Sequence, residues 1–379
     1  MPSKLTWLIA FAAGMTFTAC SDRSPVVIGV ASNMPEPSVA GVAQAALDAT
    51  QPAGGRHITV STGNTPTPSA DHAGLQREID RALQFVADRN VVAVAGPGGS
   101  REALQTGPVY REAEVPNVVP TATSRRVREL GKWTFVLAAD DSVQGEFIGE
   151  FAAERLHART AAIFYLPDEY GLGLAAGTAA ALSRRGITLL ARTPVQPTRS
   201  CQPDATVNAY EDAVDEAFRA GAPDVVVLAT RSRESPCLAR AVAARSSATR
   251  FIAGDGATVD PAFIRFAGPA ADSMYLVSFW HPTANDSAAR AFVARFRAIV
   301  GREPRHDEAM FYDSIMLLGQ AIRSVGPSRA AIRDYLEELG TKHPPYAGLT
   351  GPISFGRDAR RPLITTRLSG GQLQVVPTP

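Results

Sequence analysis

The sequence predicts an α/β protein with two doubly wound parallel sheets, and three observations support this fold class. Short apolar runs rich in β-branched residues, such as Val91 to Ala95, recur along the chain. A run of this kind is typical of a strand that is buried on both faces of a parallel sheet. Amphipathic segments lie between these runs, which predicts βαβ crossovers. The alternation starts again after Asp140, so we expect a second sheet between about Asp140 and Trp280.

The composition is that of an ordinary globular protein that is long enough for two domains. Of 379 residues, 45% are hydrophobic and 20% are charged, and the formal net charge is +1. A charge so close to neutral, with no basic stripe interleaved with aromatic residues, gives no support for nucleic-acid binding. Arg125, Arg126 and Arg128 form a small cluster, which we expect to be a solvated face.

The first twenty residues have the parts of an export signal and are excluded from the fold. Lys4 supplies a positive charge, and the apolar segment 5–17 is too short to span a bilayer. Phe17-Thr18-Ala19-Cys20 resembles a bacterial lipobox, which implies that Cys20 is the lipid-modified first residue of the mature protein. Cleavage by an ordinary signal peptidase is the alternative. A lipid chain would anchor an exported protein to a membrane surface, so we expect it in the periplasm or at the cell surface.

Two cysteines, Cys201 and Cys237, remain after the export segment. An exported protein meets an oxidising compartment, which favours a disulfide between them, with two unbonded thiols as the alternative. The chain has no CxxC or HExxH pattern and its six His residues are scattered, so we expect no metal site.

The first half of the chain is predicted to alternate between strands and helices. The central strand, Val91 to Ala95, ends in the tight turn Gly96-Pro97-Gly98-Gly99-Ser100, and Ser100 lies where a helix N-cap is expected. The next helix is predicted over residues 101–113, with an interruption at Gly107-Pro108. Other strands are predicted at residues 26–31, 58–61, 115–119 and 133–137, and helices at 38–49 and about 75–86.

The second half repeats this pattern. Asp140-Asp141-Ser142 begins a helix that runs to Leu156, because acids near a helix N-terminus suit its dipole. Strands are predicted at residues 161–166, 187–195, 224–230, 250–254 and 274–279, and helices at 172–185, 210–218, 237–245 and 261–267, with a loop at 167–171. Three more helices follow, around residues 292–299, 310–322 and 332–339, and the tail is predicted as strands at 351–355 and 364–376 with a hairpin turn at Ser369-Gly370-Gly371.

The turn after Val91 to Ala95 and the loop after the next strand are expected to form a ligand-binding crevice. In open α/β sheets, ligands bind outside the carboxyl ends of neighbouring strands. Backbone N–H groups at a helix start suit an anion, and the hydroxyls of Ser100, Thr121 and Thr123 add hydrogen-bond donors. The alternative is that Ser100 only caps a helix and that the two threonines only shape a turn.

The ordered set of motifs resembles the type I periplasmic substrate-binding proteins of ABC transporters, in the branch of the leucine/isoleucine/valine-binding proteins. The matching stretches are VVAVAGPGGS, VPNVVPTATS, AAIFYLPDEYGLGLA, PDVVVLATRS, FIAGDGATVDPAFIRFAG, FYDSIMLLGQAI and YAGLTGPISFGRDAR. The resemblance implies two lobes joined by a hinge, with a ligand in the cleft between them. It assigns residues 26–138 and 287–340 to lobe one, and residues 139–280 and 345–379 to lobe two.

The resemblance also implies roles for particular residues. In lobe one, the turn at Gly99, Ser100 and Arg101 would meet the ligand carboxylate, and Thr121, Ala122 and Thr123 would bind its carboxylate and amine. In lobe two, Tyr170 would close over the ligand, Asp255 would pair with an ammonium, and Thr230 would face the cleft. The alternatives are that Asp255 is a turn residue beside Gly256 and that Tyr170 only packs, with its hydroxyl in solvent.

These features predict a solute-binding lipoprotein that delivers a small solute, such as an amino acid or a related carboxylate, to an ABC permease. A ligand-sensing lipoprotein without a transport role is the alternative. We expect no enzyme, because the chain lacks GxGxxG, GxSxG and GxxxxGK[ST] patterns. We also expect a monomer without a cofactor. The ligand stays open, because Met34 and Glu36 near the cleft mouth are not typical of a plain aliphatic amino-acid binder.

Overall fold

Two β-sheets organise the chain in a computed structural model, which describes residues 25–32, 34, 38–51, 56–63, 72–197, 209–284, 286–356 and 361–377. Among these residues, the first sheet has five strands, and all of its neighbouring strands run parallel. The second has seven strands, and a parallel set forms most of it. The predicted α/β class with two parallel-sheet lobes is confirmed.

The first sheet is built from the first third of the chain. In chain order, its elements are β1 (Val26–Val30), α1 (Val39–Ala49), β2 (Ile58–Ser61), α2 (His72–Ala87), β3 (Val91–Ala95), α3 (Ser100–Glu112), β4 (Asn117–Val119), α4 (Arg125–Arg128) and β5 (Thr134–Val136). The strand order is β2-β1-β3-β4-β5, as in a doubly wound sheet. All five residues of β3 are buried, which explains its continuous apolar sequence.

The second sheet is built from the middle of the chain, where strands and helices again alternate. In chain order, the elements are α5 (Asp141–Glu154), β6 (Thr160–Tyr165), α6 (Glu169–Arg184), β7 (Thr188–Pro194), α7 (Glu211–Ala217), β8 (Val225–Ala229), α8 (Ser235–Arg245), β9 (Arg250–Ala253), α9 (Pro261–Ala267), a 3₁₀ turn (Gly268–Ser273) and β10 (Met274–Ser278). The parallel strands lie in the order β10-β9-β8-β6-β7.

Three helices then return to the first sheet: α10 (Ser287–Val300), α11 (His306–Val325) and α12 (Arg329–Glu337). Phe292 of α10, Leu318 of α11 and Leu336 of α12 are buried in one core with Val39 and Leu47 of α1. These helices therefore cover the sheet on which the predicted ligand turn lies.

The tail adds antiparallel strands. β11 (Tyr346–Gly348) and β12 (Gly351–Ile353) form a small sheet of their own, and β13 (Ile364–Ser369) pairs with β10 at the edge of the second sheet. β14 (Gln372–Val376) pairs with β13 through a hairpin at Gly370 and Gly371, which both have positive φ. The exact lobe bounds predicted from the resemblance stay a prediction.

Helix α3 differs from its sequence prediction in two ways. Gly99, not Ser100, is the N-cap residue, and Ser100 is the first helical residue. The helix also continues through Pro108 instead of breaking there. Packing holds it, since Tyr110 is fully buried and a Cβ on Gly107 would lie 2.6 Å from a methyl carbon of Leu130.

Helix α6 begins earlier than predicted. It starts at Glu169 rather than at Leu172, because the Asp168 carboxylate accepts a hydrogen bond from the Gly171 N–H at 2.9 Å and caps the helix. Tyr170 therefore lies in the first turn of a helix and not in a loop.

The short elements α4 and β11 were not predicted. Arg125, Arg126 and Arg128 are exposed on α4, as expected of a solvated face, whereas Val127 between them is buried.

Several predicted features lie outside the described residues, namely the export segment 1–20 with Cys20, Glu36, and Cys201. Cys237 is buried in α8. In the part of the chain that the structure describes, no helix has both the length and the hydropathy needed to cross a membrane. Within the same residues, no group of three His, Cys, Asp or Glu side chains is placed to hold a metal ion.

Candidate functional site

The turn after β3 and the loop after β4 meet at the carboxyl end of the first sheet. Gly96 makes this turn possible, because its φ is 114° and a Cβ there would lie 2.3 Å from the backbone oxygen of Ala31. The Ser100 hydroxyl oxygen accepts hydrogen bonds from the backbone N–H groups of Thr123 and Ser124, each at 3.2 Å. The structure therefore brings together the two lobe-one segments that the resemblance assigns to the ligand.

The three residues of the β4 loop have different environments. The Thr121 hydroxyl donates to the backbone oxygen of Gly98 at 2.9 Å, and Ala122 is buried. The Thr123 hydroxyl oxygen is buried and has no hydrogen-bond partner among the described residues. Buried polar atoms are normally paired, so the Thr123 hydroxyl is a candidate ligand contact.

The start of α3 offers backbone N–H groups, but an acid lies beside them. The first N–H groups of a helix lack acceptors within the helix, and Gly99 has no side chain to cap them. The Glu102 carboxylate folds back over Gly99, so that a Cβ there would lie 2.0 Å from Glu102 Oε2. Arg101 Nη2 pairs with Glu102 Oε1 at 3.3 Å. A ligand at Gly99, Ser100 and Arg101 would therefore meet an acid as well as amides.

Tyr170 is fixed against its own lobe. It is 5% exposed, and its hydroxyl accepts a hydrogen bond from the Gly256 N–H at 2.9 Å. The Arg231 guanidinium lies 5.3 Å from the centre of the Tyr170 ring and pairs with Asp168 at 2.6 Å. The alternative in which the Tyr170 hydroxyl faces solvent is wrong, because that hydroxyl holds the turn that follows Asp255.

Thr230 lies at the end of β8, where it was expected, and is fully buried. Its hydroxyl shares a 2.8 Å hydrogen bond with the Ser235 hydroxyl at the start of α8. The side chain therefore has a partner within lobe two, and its predicted role toward a ligand stays a prediction.

A buried polar cluster lies where the two sheets approach each other. Asp141 follows the crossing segment after β5, and its backbone N–H donates to the Thr123 oxygen at 2.9 Å. Among the described residues, both carboxyl oxygens of Asp141, both polar atoms of the Gln144 carboxamide and Oδ1 of Asp255 are buried without a well-formed hydrogen bond. The Thr123 hydroxyl lies beside Asp141 and the Gln144 carboxamide beside Asp255, so these groups interact with each other only weakly. Together with the Thr123 hydroxyl, they are the polar atoms of this region that a ligand could satisfy.

The protonation of these acids follows from their burial. Burial raises the pKa of Asp141 to about 8, the adjacent Thr123 hydroxyl opposes this, and the nearby Asp255 carboxyl adds to it. Burial also raises the pKa of Asp255, while His306, Gln144 and Tyr170 around it act in the opposite direction. At pH 7, Asp141 is therefore mainly neutral in the ligand-free protein, and a cationic ligand group would favour its ionised form.

A cavity of about 300 Å³ adjoins this region on the first lobe. It lies outside the carboxyl ends of β1 and β3 and reaches the first turn of α11. Gly99 and Thr121 line it, so it is continuous with the predicted carboxylate-binding turn. Because ligands bind outside the carboxyl ends of parallel strands in open α/β sheets, this cavity is a candidate ligand site.

Sequence reasoning missed Asp141, Gln144 and His306. Asp141 was interpreted only as a helix-start acid, although Asp140 alone caps α5 by accepting from the N–H groups of Ser142 and Val143. The signal available in the sequence was that Asp141 follows Asp140, which is sufficient by itself to cap the helix. Nothing in the sequence around Gln144 or His306 indicated that they lie near Asp255, because only the tertiary fold brings them there.

Two α/β lobes, with unpaired polar atoms buried where they approach, define a two-lobed ligand-binding protein. A family model described as periplasmic binding protein matches residues 26–369, and the chain belongs to this family. The family predicted from the sequence is therefore confirmed.

One curated relative is an amino acid binding protein of Pseudomonas aeruginosa, which is 27% identical over 256 residues. The match spans 66% of this chain and 65% of the length of that relative.

Solved structures share the fold over nearly the whole chain. A leucine binding protein, LivK, from Thermotoga maritima has a TM-score of 0.79 at 21% identity and covers 93% of this chain and 98% of its own. LivJ from Streptococcus pneumoniae has a TM-score of 0.78 at 20% identity, and the match covers 93% of this chain and 99% of LivJ. That structure is of a branched-chain amino acid transporter substrate binding protein in complex with isoleucine. Similarity at this level of identity shows the fold.

Proposed function

We propose that this chain is an extracytoplasmic solute-binding lipoprotein that captures an amino acid or a related small carboxylate and delivers it to an ABC permease. Membership of the periplasmic binding protein family supports the general role. Similarity to an amino acid binding protein of Pseudomonas aeruginosa and to a leucine binding protein of Thermotoga maritima supports the class of ligand. The family role is binding, so we assign no catalytic step to any residue.

One observation carries the proposal, namely the buried polar atoms from both lobes that lie beside one another without a well-formed protein hydrogen bond. Thr123 contributes a hydroxyl from the first lobe, and Asp141 and Asp255 contribute carboxyl oxygens. A zwitterion needs hydrogen-bond donors for its carboxylate and an acid for its ammonium. A buried charge is tolerated only when it is paired and hydrogen-bonded, and an amino acid would satisfy this requirement on both sides.

The roles of the lobe-one residues follow from their hydrogen bonds. Because the Ser100 hydroxyl oxygen already accepts two N–H bonds, its hydrogen is the group left to donate to a ligand carboxylate. The amides of Gly99 and Arg101 would complete the carboxylate contact, and the Thr123 hydroxyl and the Ala122 backbone would bind the carboxylate and ammonium. Tyr170 would cover the ligand from the second lobe.

A thermal-shift screen of the twenty amino acids followed by calorimetry tests the class of ligand. A ligand that binds only the folded state raises the melting temperature, and the increase grows with the logarithm of the ligand concentration above the dissociation constant. We expect at least one amino acid to raise the melting temperature and to bind with a stoichiometry of one. If none of the twenty does so, the proposed ligand class is wrong.

Mass spectrometry of the protein from a membrane fraction tests the lipid anchor. We expect a diacylglyceryl group on Cys20 as the first residue, and we expect Cys20→Ser to release the protein from the membrane fraction. An unmodified mature N-terminus would exclude the lipoprotein assignment.

Thiol titration of the denatured, unreduced protein tests the Cys201–Cys237 disulfide. We expect no reactive thiol before reduction and two reactive thiols after it.

Uptake measurements test the delivery step. Cells that lack this protein should take up the identified ligand more slowly than cells that produce it. Equal uptake in both strains would show that the protein does not deliver its ligand for transport, as expected for the sensing alternative.

A further inference from the structure

The cavity of about 300 Å³ beside the α3 turn is lined by more than apolar groups. Met34 and Phe311 form part of its wall, but Ser32, Glu102, Thr121, Arg305 and Asp307 also line it. An amino acid held at the Ser100 turn would direct its side group into this space, because Gly99 and Thr121 border both regions. The polarity and charge of the cavity wall therefore affect which ligand side groups can bind.

The charges of this wall are balanced. Arg305 and Asp307 form a two-pronged pair, with Nε–Oδ1 at 3.2 Å and Nη2–Oδ2 at 3.3 Å. Burial alone would raise the pKa of Asp307, but the Arg305 guanidinium beside it holds that pKa below its usual value. Glu102 is paired in the same way with Arg101, at 3.3 Å. Each charged side chain at the wall thus has an oppositely charged neighbour.

A buried ion pair supports the part of the cavity wall that contains Ser32. Arg81 Nη1 donates to the backbone oxygen of Ser32 at 2.7 Å and pairs with Glu78 at 3.2 Å. Both side chains of this pair are nearly buried, at 3% and 2% exposed. The backbone of Ser32 is therefore held by a buried contact.

We infer that this cavity selects an amino acid whose side group is uncharged and forms hydrogen bonds, such as a carboxamide or a hydroxyl. An aliphatic side group would displace water from Glu102, Thr121 and Asp307 and would add no hydrogen bond to the ones that these groups already make. Among the described lining residues, a charged side group would meet only acids and arginines that already have an oppositely charged neighbour, and Arg305 also lies 3.5 Å from Glu308. A carboxamide can donate to the acids and accept from Arg305 without disturbing either pair.

This inference rests on the proposed function, and calorimetry with the full protein distinguishes the two. The probes are glutamine, asparagine and serine, with leucine, glutamate and lysine as competitors and alanine as the reference with a minimal side group. We expect one of the first three to bind at least about tenfold tighter than leucine, glutamate and lysine, because sites built for hydrogen bonds reject analogues that lack them.

The possible results distinguish failure of this inference from failure of the proposed function. If leucine, glutamate or lysine binds as tightly as or more tightly than every polar uncharged probe, the inference is wrong while the proposed function stands. If no amino acid binds, alanine included, the proposed function itself fails and the inference falls with it.

Glu102→Gln tests the charge-balance argument directly. This change leaves Arg101 without its acid, so the wall gains a net positive charge. We expect the affinity for glutamate to rise at least about tenfold relative to that for glutamine, because an unpaired guanidinium favours a carboxylate. The matched control is Glu112→Gln, at the exposed end of the same helix, which should leave this ratio unchanged. An unchanged ratio in Glu102→Gln would overturn the inference.

Discussion

Asp141 and Asp255 determine the character of the site at the scale of single residues. They are 4% and 5% exposed, and the Asp141 oxygens have no hydrogen-bond partner among the described residues. A carboxyl group in such surroundings is stable when it is neutral or when a cation is next to it. The site therefore has two natural states, one protonated and ligand-free and the other ionised with a cation bound.

Asp255→Asn should weaken the binding of any ligand that has an ammonium group. The change keeps the shape of the side chain but removes the charge that would pair with the ammonium. We expect a loss of at least about 2 kcal/mol, which is the scale for breaking a buried charge pair. Calorimetry measures this, with Asp212→Asn on the exposed face of α7 as the control. Unchanged affinity in Asp255→Asn would remove Asp255 from the site.

Asp141→Asn should change how stability depends on pH. The pKa of Asp141 is raised to about 8 in the folded protein from an ordinary 3.8, so folding favours the protonated form. Its contribution is complete below about pH 4 and is lost as the pH rises through the folded pKa. We expect the ligand-free protein to lose stability between about pH 4 and pH 8, and Asp141→Asn to lose less.

Thermal melts of the two ligand-free proteins across this pH range provide the measurement. At the alkaline end, Asp141→Asn should melt at a higher temperature than the unchanged protein, because no buried carboxyl has to ionise. It should also bind amino acids more weakly. Melting curves that stay parallel at every pH would show that Asp141 does not titrate as described.

At the scale of elements, α11 holds the crossing segment that contains β11 and β12. The buried Asp313 carboxylate accepts hydrogen bonds from the N–H groups of Leu349 and Thr350, at 2.8 and 2.9 Å, and from the Thr350 hydroxyl at 2.6 Å. Arg361 donates to the Pro352 oxygen at 2.8 Å. Asp313 thus fixes the turn of this small sheet to the first lobe, in addition to the packing of Ile353 in the core.

Asp313→Ala should destabilise the protein by several kcal/mol. Two backbone N–H groups and a hydroxyl would lose their acceptor, and an unsatisfied buried donor costs about 1–3 kcal/mol. Denaturant unfolding measures the change, and Thr350→Val, which removes only the hydroxyl bond, should cost less. A loss under about 0.5 kcal/mol for Asp313→Ala would contradict this account.

The order of the elements could be predicted from the sequence, but the edges of several helices could not. The run Val91 to Ala95 is buried throughout, and such a run identifies a central strand by itself. The start of α6 was misplaced because the capping bond from Gly171 to Asp168 outweighs the low helix propensity of the DEYG segment. Pro108 stays in a helix because contacts of Tyr110 and Gly107 with other parts of the chain override its local preference.

The candidate site could be predicted in part for a similar reason. Ser100 and Thr123 follow strand ends, so topology alone brings them together. Asp141 and Gln144 lie on α5 and His306 begins α11, and no local pattern reports that their side chains face Asp255. Sequence reasoning identified the groups for an anion and only one of the two buried acids.

At the scale of the whole molecule, few described contacts bridge the lobes near the site. The backbone bond from Asp141 to Thr123 is one of them, and an ion pair between Arg126 of α4 and Glu169 of α6 is another. The Arg126 side chain is 65% exposed, so this pair contributes at most about 1 kcal/mol and is screened by salt. It can adjust the balance between open and closed lobes without determining it.

Arg126→Ala should lower ligand affinity by up to about fivefold at low ionic strength, because the pair can form only when α4 and α6 are close. The loss should disappear at about 0.5 M salt, where the Debye length falls to a few ångströms. Arg125→Ala is the matched control, since Arg125 pairs with Glu129 within α4 and its flanking turn. Equal effects of the two changes would show that the Arg126–Glu169 pair does not report on lobe closure.

The neutral Asp141 of the ligand-free site has a consequence for how the protein would be loaded. An ammonium group bound beside Asp141 would favour the ionised carboxylate, so the binding of such a ligand would release a proton. Below pH 8, every unit of acidification would then reduce the apparent affinity by up to about tenfold. Capture of the ligand would therefore weaken wherever the surroundings of the protein become acidic.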